Sequence, residues 1–297
     1  MTPEDNRQQL LTRYSALGHT LTGDRRAPTS IRVNTLKADN MEATSRLADQ
    51  GVKLEKITYL HHGYRVRRTP FSLGASFEYL LGIISLQETA AQYPVQVLDP
   101  KPGENVLDMC AAPGGKTTQI AAAMMNKGAV VALDASRERL YALQNHLERT
   151  GVVNCAVFHA DVLQAELTGG YDKVLLDAPC SGNYTTDPSW LSKRTLRDVE
   201  NNAQYQRRLL ARGLELLKEG GVMVYSTCSL EPEENEHNMQ WLLTNHNVEL
   251  NPVKGPGSPG LTTVFGEELD PRIANTHRFW PDETGTQGFY VAEVRKL

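Results

Sequence analysis

The stretch Val106-Leu107-Asp108-Met109-Cys110-Ala111-Ala112-Pro113-Gly114-Gly115-Lys116-Thr117 decides the fold. An apolar run, predicted as a strand over 105–108, turns through small residues into a helix predicted over 116–125. Small residues let the backbone approach a ligand, and the helix start offers it unpaired N–H groups. Two cofactor readings remain open here. A phosphate-cradling loop fits the ending Gly115-Lys116-Thr117, with Val174 to Asp177 imitating a magnesium-holding strand, but it needs glycine where Cys110 stands. A nucleoside cofactor fits Asp134, which closes the second strand 24 residues after Cys110 and is placed to accept from both ribose hydroxyls. Asp161 then ends the third strand, where an adenine would rest. Each aspartate alone could be a turn cap; Asp134, Asp161 and Asp177 at successive strand ends are harder to explain that way.

Outward from this loop the chain alternates. Strands are predicted over 129–134, 155–159, 173–177 and 222–227, and helices over 137–149 and 196–218, with Leu210, Leu214 and Leu217 on one face. A last pair of strands is expected near Arg278 and over 289–295. Such alternation implies an α/β fold with a mainly parallel sheet covered on both faces, which binds ligands at the carboxyl ends of its strands. Pro100-Lys101-Pro102-Gly103 marks a break. Residues 1–98 are expected to form a small α+β domain, with helices over 6–17 and 41–50 and strands over 30–35, 53–58 and 63–66. Residues 99–297 are expected to form the large domain.

Composition narrows the class. The 297 residues are 40% hydrophobic, enough to bury a full core. No run of eighteen apolar residues could span a membrane, and 1–13 lacks a signal peptide's apolar centre, so a cytoplasmic enzyme is expected. The four cysteines, Cys110, Cys155, Cys180 and Cys228, have no zinc-type spacing; no metal is expected, and all four are expected to be free thiols. Net charge is −4, yet residues 1–98 carry 12 Lys and Arg against 9 Asp and Glu. Cys180, in Asp177-Ala178-Pro179-Cys180-Ser181-Gly182, and Cys228, in Tyr225-Ser226-Thr227-Cys228-Ser229, lie among turn residues at the ligand edge. Cys155 reads as a core thiol. A nucleophilic thiolate needs a lowered pKa or a proton acceptor, and Lys116 and loop N–H groups are the nearby candidates.

The residues from Asp108 to Thr117, from Asp177 to Gly182, and Tyr225-Ser226-Thr227-Cys228-Ser229-Leu230-Glu231-Pro232-Glu233-Glu234-Asn235-Glu236 resemble the signature motifs of the NOL1/NOP2/Sun family of RNA 5-methylcytosine methyltransferases. Ser30 to Lys37 resembles its N-terminal motif and Gly288 to Ala292 its closing strand. The resemblance implies a Rossmann-like class I methyltransferase domain with a mainly parallel seven-stranded sheet, preceded by a small RNA-binding domain. It makes the cofactor S-adenosyl-L-methionine, held by Cys110, Ala111, Ala112, Pro113, Gly114, Gly115, Lys116, Asp134, Asp161 and Asp177, with Arg139 adding a contact. It makes Cys228 the nucleophile at cytosine carbon 6 and Cys180 the group that assists proton loss or product release; spacing alone does not choose between the thiols. Asp177 would hydrogen-bond the cytosine edge, and Lys116 would steady the base or Asp177.

A cytosine inside a duplex offers no face to a sulfur, so the target must be unpaired or flipped out. Arg25, Arg26, Arg32, Lys37, Arg65, Arg67 and Arg68, helped by Lys193, Arg194 and Arg197, would hold the RNA backbone, with His61, His62 and Tyr64 able to stack on bases. Asn183-Tyr184-Thr185-Thr186-Asp187 resembles archaeal, often tRNA-directed members, so tRNA is expected ahead of ribosomal RNA. A monomer is expected; any accessory protein is not legible. An RNA-binding assembly factor would have no need of reactive thiols, and a thiol hydrolase would need a histidine such as His159 or His237 at a sulfur.

Overall fold

The structure, a computed structural model, describes residues 3–21, 26–187 and 189–297; Arg25 lies outside them. In chain order the elements begin α1 (Pro3–Ala16), β1 (Ser30–Val33), α2 (Asn40–Asp49), β2 (Lys53–Lys56), β3 (Gly63–Arg68), α3 (Phe77–Leu80), β4 (Ile84–Leu86) and α4 (Tyr93–Leu98). Next come β5 (Asn105–Asp108), α5 (Gly115–Ala123), β6 (Ala129–Asp134), α6 (Arg137–Thr150), β7 (Cys155–His159), β8 (Tyr171–Asp177), α7 (Trp190–Lys193), α8 (Leu196–Leu216) and β9 (Leu217–Thr227). The chain finishes with α9 (Glu236–Asn245), β10 (Val248–Asn251), β11 (Ser258–Pro259), the minor pair β12 (Thr263–Val264) and β13 (Glu267–Glu268), β14 (His277–Phe279), α10 (Pro281–Thr284) and β15 (Phe289–Lys296).

The main sheet has nine strands in the order β11-β14-β15-β9-β8-β5-β6-β7, with β10 also on β15. The five strands from β7 to β9 run parallel, and β15 returns antiparallel against β9. Seven strands were expected; β10 and β11 bring the number to nine. Both are short segments whose pairing follows from β15 and β14 rather than from alternation of their own. After β5 the chain steps outward to β6 and β7, then crosses back to β8 on the other side of β5. That reversal opens a crevice at the carboxyl ends of the strands.

Local signals explain the helices that frame it. Ser136 caps α6 by accepting from Arg139 N, and Gly151, at φ 78°, ends it. Leu140, Leu143 and Leu147 recur at helical spacing and turn inward. α8 starts from a reciprocal capping box between Thr195 and Asp198 and buries Leu209, Leu210 and Leu214 against the sheet. The small N-terminal sheet, ordered β2-β3-β1-β4, is antiparallel and packs on α2 through Ile31, Val33, Ala43 and Leu47. α1 docks elsewhere: its Leu10 and Tyr14 pack with Tyr184, Trp190, Leu230 and Trp280, and Tyr14 Oη donates to Glu231 Oε1 at 2.6 Å.

Candidate active site

Four strand ends converge on the crevice. The loop after β5 must turn sharply, and Gly114 does so at φ 100°; a Cβ there would come within 2.8 Å of Leu143 Cδ1, so glycine alone fits the turn and the packing of α6 beside it. Ala111 and Ala112 are buried against α6. Asp134, at the end of β6, is 4% exposed and accepts from Ala112 N at 3.1 Å and Ser136 N at 2.9 Å. Arg139 Nη1 lies 3.4 Å from the same carboxylate, and its Nη2 donates to Ala112 O. With Asp161, Val162, Pro179 and Tyr205 these groups line a cleft of about 610 Å³.

Cys110 belongs both to that cleft and to a neighbouring one of about 580 Å³. Asp108, Lys116 and Asp177 line the second, with Ala111, Ala112, Pro113 and Gly115. The two together bring all the expected cofactor residues except Gly114 to one continuous wall; Gly114 serves the turn behind it. Lys116 Nζ is 2.7 Å from Asp177 Oδ2, and Ser226 Oγ donates to Asp177 Oδ1 at 2.7 Å.

The two signature thiols meet. β8 and β9 are parallel neighbours, so the loops that follow them lie side by side, and Cys180 Sγ stands 3.2 Å from Cys228 Sγ. The hydrogen bond between the two sulfurs draws the Cys228 thiol below its ordinary pKa; burial and the Asp177 carboxylate oppose this, and the Lys116 ammonium assists it. The same contact, with burial, pushes Cys180 well up. One thiol of this pair can therefore stand as a thiolate with the other as its hydrogen-bond donor. Burial, then Asp108 and Asp177, raise Cys110 well above the usual thiol range, and burial carries Cys155 to about 12, so neither competes as a nucleophile. Among the described residues no histidine hydrogen-bonds either Cys180 or Cys228; His159 instead pairs with Ala135 O at 3.1 Å.

Several supporting groups escaped sequence reasoning. Asn183 Nδ2 donates to Cys228 O at 2.6 Å and to Gly288 O at 3.0 Å, tying the two cysteine loops to β15. Buried Glu234 accepts from Ser181 N at 3.1 Å and fixes the residue after Cys180. Asp108 is 1% exposed; burial carries its carboxyl to about 7, while its Oδ1 has no partner. Their motifs were legible, but their roles depend on which loops become neighbours. Asn183, Tyr184 and Thr185 are all buried, so these positions do not face RNA from the surface. Arg32, expected on the RNA face, is also buried, with its guanidinium turned toward α5; Arg26, Lys37, Arg67, Arg68, Lys193, Arg194 and Arg197 are exposed.

The family described as 16S rRNA methyltransferase RsmB/F matches residues 95–295. The 28S rRNA (cytosine-C(5))-methyltransferase of Mus musculus is 36% identical over 279 residues, covering 91% of this chain and 35% of that protein. The tRNA (cytosine(49)-C(5))-methyltransferase of Pyrococcus abyssi is 38% identical over 273 residues, covering 90% of this chain and 88% of that protein. The chain spans about a third of the length of its mouse and human relatives. Among solved structures, a methyltransferase homolog protein from Pyrococcus horikoshii is 45% identical with a TM-score of 0.86, over 93% of this chain and 88% of that one. NSun6 from Pyrococcus horikoshii, solved with SFG, is 27% identical with a TM-score of 0.81, over 92% of both chains.

Proposed function

We propose the function that follows from one premise: the chain belongs to the NOL1/NOP2/Sun family of RNA 5-methylcytosine methyltransferases. It transfers a methyl group from S-adenosylmethionine to carbon 5 of a cytosine in RNA. The observation that carries this reading is the approach of Cys180 and Cys228 to 3.2 Å, with Lys116 and Asp177 paired at 2.7 Å in the adjoining cleft.

S-adenosylmethionine supplies an electrophilic methyl group on a cationic sulfur when bound. The donor set suits such a cation: Asp108, Asp134, Asp161 and Asp177 outnumber Lys116 and Arg139 around the two clefts, and buried Asp108 Oδ1 awaits a partner. Asp134 would hold the ribose hydroxyls, Asp161 the adenine edge, and the loop from Cys110 to Lys116, with Asp177, the amino-acid end.

Carbon 5 of cytosine is a poor nucleophile because its electrons belong to an aromatic ring. Cys228 thiolate forms a bond to carbon 6, breaking the conjugation and moving electron density to carbon 5 and nitrogen 3. Lys116 holds a proton beside Asp177, which offsets the charge developing at the cytosine edge. Carbon 5 then takes the methyl group. Loss of the carbon 5 proton lets the Cys228–carbon 6 bond break and restores the ring, with Cys180 assisting that proton loss or the release of product.

Within RNA, tRNA is the favoured substrate. The resemblance of residues 183–187 to archaeal members and the Pyrococcus abyssi relative support it; the family description and the mouse relative support ribosomal RNA as the competitor. The test supplies tritiated S-adenosylmethionine with either RNA to wild type, Cys228→Ala and Cys180→Ala, then identifies the labelled nucleoside. Label in 5-methylcytidine is expected from tRNA with wild type, lost with Cys228→Ala, together with a trapped RNA adduct in Cys180→Ala. Label in ribosomal RNA alone would overturn the tRNA assignment, and absent cofactor binding would overturn the reaction.

A further inference from the structure

The helix α1 stands ahead of every motif on which the family resemblance rests, and none of the chemistry above uses it. It nonetheless backs both thiol loops. Leu10 and Tyr14, 1% and 0% exposed, pack in one cluster with Tyr184 from the loop after Cys180 and Leu230 from the loop after Cys228. Trp190 of the same cluster donates from its Nε1 to Ser181 O at 2.7 Å, beside Cys180.

Glu231 is where the helix and the loops meet. It follows Cys228 in the same turn, is 0% exposed, and has both carboxylate oxygens met by α1: Tyr14 Oη donates to Oε1 at 2.6 Å and Arg13 Nη2 to Oε2 at 3.2 Å. Arg13 also pairs with Glu233 Oε1 at 2.6 Å. A buried carboxylate is costly unless such donors hold it. The contact is passed on toward the sulfurs. Glu231 N donates to Ser229 Oγ at 3.1 Å, and Ser229 Oγ lies 3.2 Å from Ser181 Oγ. Ser229 follows Cys228 and Ser181 follows Cys180, so a chain of hydrogen bonds runs from α1 to the neighbour of each thiol. A helix that only covered apolar surface would bring no pair of donors to a buried acid in that segment.

Misplacing a reacting group by about 1 Å can cost about 100-fold in rate, so the spacing of the two sulfurs needs support from behind. We propose that Tyr14, acting through Glu231, is a positioning residue that holds both thiol loops at the spacing methyl transfer uses. The inference rests on the methyl transfer proposed above and makes α1 part of the catalytic unit. Loss of either donor leaves Glu231 short of a partner, so it takes up a proton or turns toward water, and the turn behind Cys228 relaxes with it. Arg13 and Tyr14 of α1, Glu233 of its own loop and Arg278 of β14 act on the Glu231 carboxyl. Burial carries its pKa to about 6, while Arg13 and Tyr14 hold it down. Removing the Tyr14 hydroxyl therefore moves the Glu231 midpoint upward.

The test compares the full wild-type chain with Tyr14→Phe, which removes only the hydroxyl, and with Arg13→Met, which removes the second donor and keeps an apolar stem. With whichever RNA takes label in the assay above, each should lower kcat near pH 6.5 about tenfold, the effect of one hydrogen bond to a charged group. The KM for RNA and the Kd for S-adenosylhomocysteine should stay at wild-type values. The deficit should shrink toward pH 8.5, where Glu231 is ionised in every protein. A second readout needs neither RNA nor cofactor. Diamide oxidises two neighbouring thiols to a disulfide and is itself reduced to a hydrazine; it should join Cys180 to Cys228 about tenfold more slowly in both variants. Peptide mass spectrometry reads the coupling, on protein shown to be folded by circular dichroism. An unchanged kcat, a deficit equal at every pH, a rise in KM alone or an unchanged diamide rate would overturn the proposal. Slower diamide coupling in the variants of a protein that methylates neither RNA would sink the proposed reaction and leave the positioning role standing.

Discussion

Under the proposed mechanism, Cys180→Ala removes the hydrogen bond that holds Cys228 ready as a thiolate. In the native site the sulfurs are 3.2 Å apart, and this contact is the leading cause of the lowered Cys228 pKa. A hydrogen bond to a charged group contributes about 1.5–3 kcal/mol, and 1.36 kcal/mol corresponds to one pH unit. Losing the donor should therefore move the Cys228 midpoint upward by about 1–2 units, and the partial exposure of both cysteines favours the lower figure. Below both midpoints the thiolate fraction falls by the same factor, so adduct formation at neutral pH should slow about tenfold. The opposite effect acts on the amount of adduct, because the proposed mechanism also gives Cys180 a part in clearing it. Single-turnover adduct formation, followed on denaturing gels across pH, separates the two. The variant should form adduct more slowly at neutral pH, with a higher midpoint, and retain it. Cys180→Ser, which restores a hydroxyl donor, should recover part of the shift. An unchanged or lowered midpoint in Cys180→Ala would refute the donor role, and adduct in Cys228→Ala would refute the assignment of the nucleophile.

Asp134→Ala should weaken cofactor binding about 100-fold, the effect of two hydrogen bonds to a carboxylate; calorimetric titration with S-adenosylhomocysteine checks it, and unchanged affinity would move the ribose elsewhere. Asn183→Ala leaves Cys228 O and Gly288 O without their donor and should lower stability by about 2–4 kcal/mol in urea titration; a negligible change would mean that water replaces the amide. Asp108 has its folded pKa raised from 3.8 to about 7 by burial. Between those values the native state holds a proton that the unfolded chain has lost, so stability falls as pH rises through this window. Asp108→Asn should flatten that fall and be the more stable protein at pH 8, by at most about 4 kcal/mol; parallel urea curves for the two proteins from pH 4 to 8 would count against it.

Much of the fold is written in local pattern. β5, β6 and β7 begin and end where apolar runs meet turn residues, and their observed limits coincide with the expected ones. The end of α6 follows from Gly151 and the start of α8 from Thr195 and Asp198, each within a few residues of the feature it sets. β9 starts earlier than expected, at Leu217, because Leu217 already pairs with Tyr171 of β8, ahead of a register shift that resumes the ladder at Lys173 and Val222. The chain's first helix has no strong apolar face of its own, and only the distant Tyr184, Trp190 and Trp280 show where it packs.

The sequence by itself determined the α/β alternation, the cofactor loop, the acids at successive strand ends and the two thiol motifs, because each depends on neighbours a few residues away. The tertiary structure decided that Cys180 and Cys228 touch, that Lys116 reaches Asp177, that Asn183 and Glu234 hold the thiol loops, and that Arg32 turns inward. Those outcomes depend on strand order and on burial. Residues separated by 48 and 61 positions become hydrogen-bond partners only once β8 has crossed back over β5, and a charge learns whether it faces water only when the core closes around it.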